Sequence, residues 1–239
     1  MLALITGASS GIGRDMARIL NSYNYDVIIT ARNEEKLKEL KEELENKNNN
    51  KVYMYLADLS KEEECINLYK KVKEEHGFID LLINNAGFGL CGKIIDTDLE
   101  TEMKMIDTNI KAVHILTKMF LKDMVEKNRG NILNVASVAS FMAGPLMATY
   151  YATKNYILRF SQAIREELVK DNSNVKISVL CPGPVNTNFN KVANVKFALK
   201  GLFLIIPGLK IKIARFLSKI SPDIITTKVC YYMQRKKSV

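Results

Sequence analysis

Short runs of apolar, often β-branched residues alternate along this chain with longer stretches whose apolar positions recur at helical spacing. Leu2–Thr6 reads as a strand and Ile12–Tyr23 as a helix, then Tyr25–Thr30 as a strand and Glu34–Glu45 as a charged helix. The Asn/Lys tract Asn46–Lys51 is a turn before a strand at Val52–Ala57. Lys61–His76 is helical, Ile79–Asn84 a strand and Leu99–Lys127 one long helix. Asn131–Ala136, Thr149–Lys170 and Val175–Cys181 continue as strand, helix and strand. Such alternation predicts an α/β fold: one doubly wound, mostly parallel sheet with helices on both faces. The nearly unbroken apolar run Ile132–Val135 fits a strand covered on both sides. Beyond Pro182 the pattern loosens. Asn190–Leu199 can form a helix, and Leu202–Ile206 an edge strand ended by Pro207-Gly208. Leu209–Ile220 and Pro222–Arg235 read as two basic, amphipathic helices.

A length of 239 residues fits one large domain, and a hydrophobic content of 47% supplies a sizeable core. Cys65, Cys91, Cys181 and Cys230 are scattered without a CxxC pair, which fits a reducing compartment rather than a disulfide or zinc framework. His76 and His114 have no metal-ligand spacing, so no metal is expected. The chain opens directly on an apolar strand, and no apolar run approaches the ~20 residues of a membrane span, so the expected location is cytoplasmic. The net charge of +9 is localised: from Lys191 onward eleven Lys and Arg face one acid, Asp223, leaving the rest of the chain at −1. A chain-wide nucleic-acid surface is therefore not expected.

The first strand runs into Thr6-Gly7-Ala8-Ser9-Ser10-Gly11-Ile12-Gly13 and then a helix. Glycines in such a turn let the backbone approach a pyrophosphate, and the helix N-terminus offers free N–H groups. The spacing Gly-x-x-x-Gly-x-Gly, followed in order by Asn84-Asn85-Ala86-Gly87, Ser137, Tyr150-x-x-x-Lys154 and Pro182-Gly183, resembles the short-chain dehydrogenase/reductase family over about residues 1–190. The resemblance implies a Rossmann-type fold, with residues 1–189 binding a dinucleotide and carrying the catalytic groups. Residues 190–239 would form a substrate lid and C-terminal extension of the same domain.

The resemblance also implies which residues touch the cofactor. From the glycine turn they are Gly7, Ser9, Ser10, Gly11, Ile12 and Gly13. From the later loops they are Asn85, Ala86, Gly87, Pro182, Gly183, Val185 and Thr187, with Tyr150 and Lys154 at the nicotinamide end. The second strand ends Thr30-Ala31-Arg32-Asn33, without an acid. An arginine there suits a 2′-phosphate, so Arg32 points to NADP(H); the alternative is a solvated arginine opening a charged helix. Ser10 stands where some NADP-preferring relatives carry a second basic residue. Asp58 resembles the family's adenine-contacting acid; Ser60 is the better N-cap for the following helix.

Tyr150 and Lys154, four apart, share a helix face, and a nearby ammonium favours phenolate. The family pattern assigns Tyr150 as acid/base and Ser137 as donor to the substrate oxygen. Lys154 would hold the ribose, and Asn109 a water in a proton relay. Ser140 and Tyr151 are local rivals for the serine and tyrosine roles. The implied activity is hydride transfer between NADP(H) and a carbonyl or alcohol, with a 3-oxoacyl thioester reductase or a non-catalytic nucleotide-binding regulator as alternatives. Phe88, Leu90, Phe141, Met142, Leu146, Met147 and Phe189 suggest an apolar pocket for a small lipophilic ketone or aldehyde. The tail resembles a bacterial subgroup with a C-terminal extension and reads first as a lid and packing arm. An anionic membrane surface is the less favoured partner. The long helices Leu99–Lys127 and Thr149–Lys170 are those through which the family forms homodimers or homotetramers.

Overall fold

The computed structural model describes residues 1–183, 203–207, 212–213, 215–216 and 223–235. Among the described residues seven strands form one sheet: β1 (Leu2–Thr6), β2 (Asp26–Ala31), β3 (Val52–Leu56), β4 (Leu81–Asn84), β5 (Asn131–Val135), β6 (Lys176–Leu180) and β7 (Leu204–Ile205). Their order is β3-β2-β1-β4-β5-β6-β7, and every pairing is parallel. The expected edge strand is present as β7, shortened to two residues, beside β6.

Parallel strands need crossovers, and helices supply them: α1 (Gly11–Ser22), α2 (Glu34–Lys47), α3 (Glu62–His76), α4 (Leu99–Ile106), α5 (Ala112–Glu126) and α6 (Ala148–Lys170). The two-residue period of a strand divides the core between the faces of the sheet. Ala3, Ile5, Val27 and Ile29 pack with Met16, Leu20, Leu37 and Leu40 of α1 and α2. Their neighbours Leu4 and Ile28 pack with Leu68, Leu116, Phe120 and Ile164 of α3, α5 and α6. A strand buried on both faces has no polar side to show, which explains the unbroken apolar runs.

Two expectations change. The long helix Leu99–Lys127 is interrupted: a π-helical turn, Asp107–Lys111, separates α4 from α5. Helix α3 starts at Glu62 after Lys61, not after Ser60, and its first turn has no side-chain cap. Instead Glu64 reaches back to accept from the Asp58 N–H at 2.6 Å.

In the tail, Pro222–Arg235 is realised as α7 (Asp223–Arg235). The expected helix Asn190–Leu199, Phe189 and most of Leu209–Ile220 lie outside the described residues. Among the described residues no helix is long and apolar enough to cross a membrane.

Candidate functional site

The sheet order reverses between β1 and β4, and in such sheets the crevice opens at the carboxyl ends of the strands on either side of that switch. A cleft of about 1050 Å³ lies there, lined from the glycine turn through the ends of β2, β3, β4 and β5 to Pro182 and Gly183. That volume is at the upper end for a small-molecule site and suits a dinucleotide with a substrate beside it.

The glycine turn is shaped for close approach. Gly7 (φ +66°) and Gly11 (φ +55°) occupy left-handed conformations that glycine adopts without strain. A Cβ on Gly7 would stand 2.8 Å from Ala86 Cα, so the turn and the β4 loop touch backbone to backbone. Thr6 and Asn85 lock that contact. The Thr6 hydroxyl accepts from the N–H groups of Asn85 and Ala86 at 2.9 and 3.0 Å, while Asn85 Nδ2 donates to the carbonyls of Thr6 and Gly7 at 2.9 and 3.2 Å. Helix α1 then starts with no side-chain cap from Ser10 and no acid in its first turn. Its leading N–H groups and partial positive charge are left for an anion. Gly7, Ser9, Ser10, Gly11 and Ile12 line the cleft. Gly13 does not: it is buried behind the turn, where a Cβ would strike the Gly7 carbonyl, so its glycine is needed for packing.

Arg32 and Asp58 line the far end of the cleft with Ala31, Asn33 and Leu59. Arg32 is exposed, and no acid stands beside it at the end of β2. Burial pushes the Asp58 carboxyl up, but the Ser60 hydroxyl and amide, at 2.8 and 3.1 Å, and the Arg32 charge outweigh it and hold it below its ordinary value. Asp58 thus orders the turn into α3 while facing the cleft.

At the opposite end Ser137, Tyr150 and Lys154 line one wall, with Ala86 and Gly87 across from them. Burial pushes the Tyr150 phenol above its ordinary value, and its hydrogen bond with Ser137 pulls the other way. Lys154 Nζ donates to the Val135 carbonyl at 3.0 Å and stands 5.9 Å from the Tyr150 ring centroid. The expected lowering of the phenol by a close ammonium is therefore not what opposes burial here; Ser137 does that. Lys154 is itself almost wholly buried, and desolvation pulls its ammonium down to about 8.

The rivals are placed elsewhere. The Ser140 hydroxyl donates to the Lys154 carbonyl at 2.7 Å, inside α6's own packing. The Tyr151 hydroxyl accepts from Gln234 Nε2 at 2.8 Å and from the Cys230 thiol at 3.4 Å, both on α7. Burial pushes its phenol well up, so it remains a neutral O–H.

Asn109 is fully buried in the π-turn, behind the cleft wall, while its neighbour Thr108 lines the cleft. Its side chain brackets the Phe88 backbone, accepting from the N–H at 3.0 Å and donating to the carbonyl at 2.9 Å, and also donates to the Thr153 hydroxyl at 3.1 Å. A Cβ on Gly87 would lie 2.8 Å from Asn109 Oδ1 and 3.5 Å from Lys154 Nζ. The loop, the π-turn and the lysine therefore meet at Gly87. The side chain is committed to positioning the Phe88 loop and Thr153.

Of the expected apolar wall, Phe88 and Met147 line the cleft. Phe141 and Met142 pack against buried clusters instead. Leu90 and Leu146 are not among the lining residues, whereas Cys91, Thr108, Val138, Tyr151 and Gln234 are. Val185 and Thr187 lie outside the described residues. His76 and His114 each meet a tyrosine hydroxyl, Tyr55 and Tyr156, at 2.8 Å. Among the described residues no group of three or more His, Cys, Asp or Glu is placed to hold a metal ion.

The family model described as short chain dehydrogenase matches residues 1–196. The chain is a short-chain dehydrogenase/reductase. An uncharacterised oxidoreductase of Staphylococcus saprophyticus is 33% identical over 186 residues, 78% of this chain and 79% of that protein. Among solved structures, a metagenomic short-chain oxidoreductase in complex with NADP is similar with a TM-score of 0.79 and 29% identity, over 87% of this chain and 98% of that one. The bulky-bulky ketone specific alcohol dehydrogenase from Comamonas testosteroni gives a TM-score of 0.80 and 26% identity, over 92% of this chain and 94% of that one. As a short-chain dehydrogenase/reductase the chain is an oxidoreductase, and its solved relatives include an NADP-bound form.

Proposed function

We propose that this chain is an NADP(H)-dependent reductase of small lipophilic ketones or aldehydes, with Tyr150 as its acid/base. The observation that carries this reading is one continuous cleft with Arg32 and Asp58 at one end, the glycine turn and uncapped α1 between, and Ser137, Tyr150 and Lys154 at the other. A pyrophosphate fits the glycine turn at the uncapped start of α1, whose leading N–H groups are left for it. Arg32 fits the 2′-phosphate: its planar fork complements a phosphate, and the end of β2 offers no acid to repel one. Asp58 meets the adenine side. The NADP-bound metagenomic relative agrees with this preference.

When bound, the reduced dinucleotide supplies the hydride that adds to the carbonyl carbon. Ser137 donates to the substrate oxygen as negative charge grows there. Tyr150 gives that oxygen its proton; its raised pKa keeps the proton in place until the oxygen needs it. Lys154 holds the ribose hydroxyls and lends positive charge to the tyrosinate left behind. Asn109 fixes the Phe88 loop and, as the family pattern implies, binds the water of the proton relay. Phe88, Val138 and Met147 supply an apolar wall, and the likeness to a bulky-ketone dehydrogenase supports a ketone of some size.

We assign residues 1–189 to the cofactor and catalytic part and 190–239 to a lid and packing arm, on the strength of α7's bonds to Tyr151. Helices α4 to α6 are the expected contact between subunits of a homo-oligomer; Leu99 and Met103 on α4 are exposed apolar residues available for it.

A panel of aliphatic, aromatic and steroid-like carbonyls with NADPH and NADH, followed by the cofactor's absorbance, tests the reading. Turnover of apolar ketones with NADPH preferred is expected. Absence of turnover on the whole panel, with NADPH bound, overturns it in favour of a nucleotide-binding regulator.

A further inference from the structure

Helix α7 brings one of its side chains into the cleft. Gln234, 83 residues from Tyr151 in sequence, lines the same space as Tyr150, Met147 and Phe88. It is held there: its amide nitrogen donates to the Tyr151 hydroxyl at 2.8 Å. Cys230, one turn earlier on α7 and buried, donates its thiol to the same oxygen. Tyr151 is a firm anchor, only 9% exposed, with its ring against Gly144 so closely that a Cβ there would enter it.

A glutamine amide offers two donor positions and two acceptor lone pairs, and Tyr151 uses one of the four. The remainder is left for the cleft, which Phe88, Val138 and Met147 line with apolar side chains alongside the reacting Ser137 and Tyr150. In such pockets a single placed polar group sets the orientation of the ligand and discriminates against analogues that cannot pair with it.

We propose that Gln234 is a substrate-recognition residue, oriented by Tyr151, that selects carbonyl compounds carrying a second hydrogen-bonding group, a hydroxyl or carbonyl, away from the reacting carbon. This deepens the carbonyl-reductase reading and rests on it. Tyr151 then acts through Gln234 as a positioning residue. An apolar ketone still fits the wall, but it leaves the amide unpaired.

The test uses the full chain loaded with NADP⁺, which holds no hydride, so that binding is read without turnover. A series of phenylalkanones of increasing chain length and their para-hydroxy counterparts is titrated calorimetrically. Wild type is expected to bind at least one hydroxy member about tenfold more tightly than its parent, the size of one neutral hydrogen bond. Gln234→Leu, which keeps the bulk, should erase that preference while binding the parent ketone as before. Tyr151→Phe should weaken the preference without erasing it. Equal affinity for both members of every pair in wild type, or an undiminished preference in Gln234→Leu, overturns the proposal. So does an equal loss for both members together with a fall in melting temperature, which marks a mere latch. NADPH consumption is recorded separately: a preference that Gln234→Leu erases, without any turnover, sustains the recognition role and removes the reductase reading alone.

Discussion

Thr153 joins Asn109 to Tyr150. Its hydroxyl accepts from Asn109 Nδ2 at 3.1 Å and donates to the Tyr150 carbonyl at 2.7 Å, so the π-turn and the first turns of α6 are one hydrogen-bonded unit. Both side chains are buried, at 0% and 1% exposure, so neither can turn to water when its partner is lost. Thr153→Val keeps the shape and deletes the hydroxyl. It should cost about 1–3 kcal/mol, because buried polar atoms are left unpaired. For a domain of this size that is roughly 2–4 °C of melting temperature per kcal/mol. Turnover should fall while NADPH affinity holds, since the cofactor's glycine turn is untouched. Thermal melting and steady-state kinetics together check this, and an unchanged kcat would detach the π-turn from the reacting end.

Tyr150→Phe removes the proton donor and little else. Turnover should drop by about 10²–10⁴, the usual worth of a positioned acid/base, with NADPH affinity within a few-fold of wild type. Tyr151→Phe, whose hydroxyl is engaged by Gln234 and Cys230, should keep most turnover on a plain apolar ketone. If the two variants exchange these behaviours, the roles of the adjacent tyrosines are reversed.

Arg32→Asp should reverse cofactor preference. A charge-assisted bond to the 2′-phosphate, worth about 1.5–3 kcal/mol, is lost and a repulsion is added. Dissociation constants for NADPH and NADH, measured at one salt concentration, give the answer directly. A preference unmoved by the substitution would leave Arg32 as an exposed side chain at the start of α2.

Lys154 gives a pH signature in the cofactor-free protein. Burial lowers its ammonium from 10.5 in the unfolded chain to about 8 in the folded one. Between those values the unfolded state binds the extra proton, so stability rises with pH across that window. Lys154→Met removes the buried charge and with it this dependence. The variant should therefore melt above wild type at pH ~7.5, and its advantage should shrink as pH approaches ~10. Parallel melting curves for the two proteins across the window would contradict the shift.

The sheet and the cleft were legible in the sequence for a physical reason. Strands such as β1 and β5 are buried on both faces and so are mostly apolar, and the glycine turn has to follow β1 directly to reach a phosphate. The π-turn at Asp107–Lys111 was not legible, because one extra residue per turn hardly disturbs the apolar rhythm of Leu99–Lys127. The sequence offers there only an asparagine, Asn109, in mid-helix. Gly13 reads like the other glycines of its motif, yet its role is steric, set by the Gly7 carbonyl and Asn85. The choice between Tyr150 and Tyr151 rested on spacing to Lys154, whereas the physical difference comes from α7, some 80 residues later. Contacts of that range leave no local pattern, which is also why the sequence does not mark Gln234 as a lining residue.

Removing residues 223–239 distinguishes a packing arm from a membrane foot. Helix α7 has two unlike faces. One carries Cys230, 4% exposed, and Gln234, both bonded to Tyr151. The other carries Ile225, Val229 and Tyr232, all more than half exposed. If the first face governs, truncation uncovers Tyr151 and the partly buried Met142 and Met147 around it, at roughly 25 cal/mol per Å² of apolar surface. Melting temperature should then fall by several degrees in plain buffer, and affinity for ketones should weaken while NADPH affinity changes little. If the second face governs, the truncated protein should stay folded and active on soluble ketones and lose only its binding to anionic vesicles, a binding that salt would screen. Co-sedimentation with vesicles and melting of both forms decide between them. The expected result is the first: two side chains of α7 already meet one buried tyrosine, so the helix has a partner within the chain. Vesicle binding by the intact protein that truncation abolishes at unchanged melting temperature would reverse that conclusion.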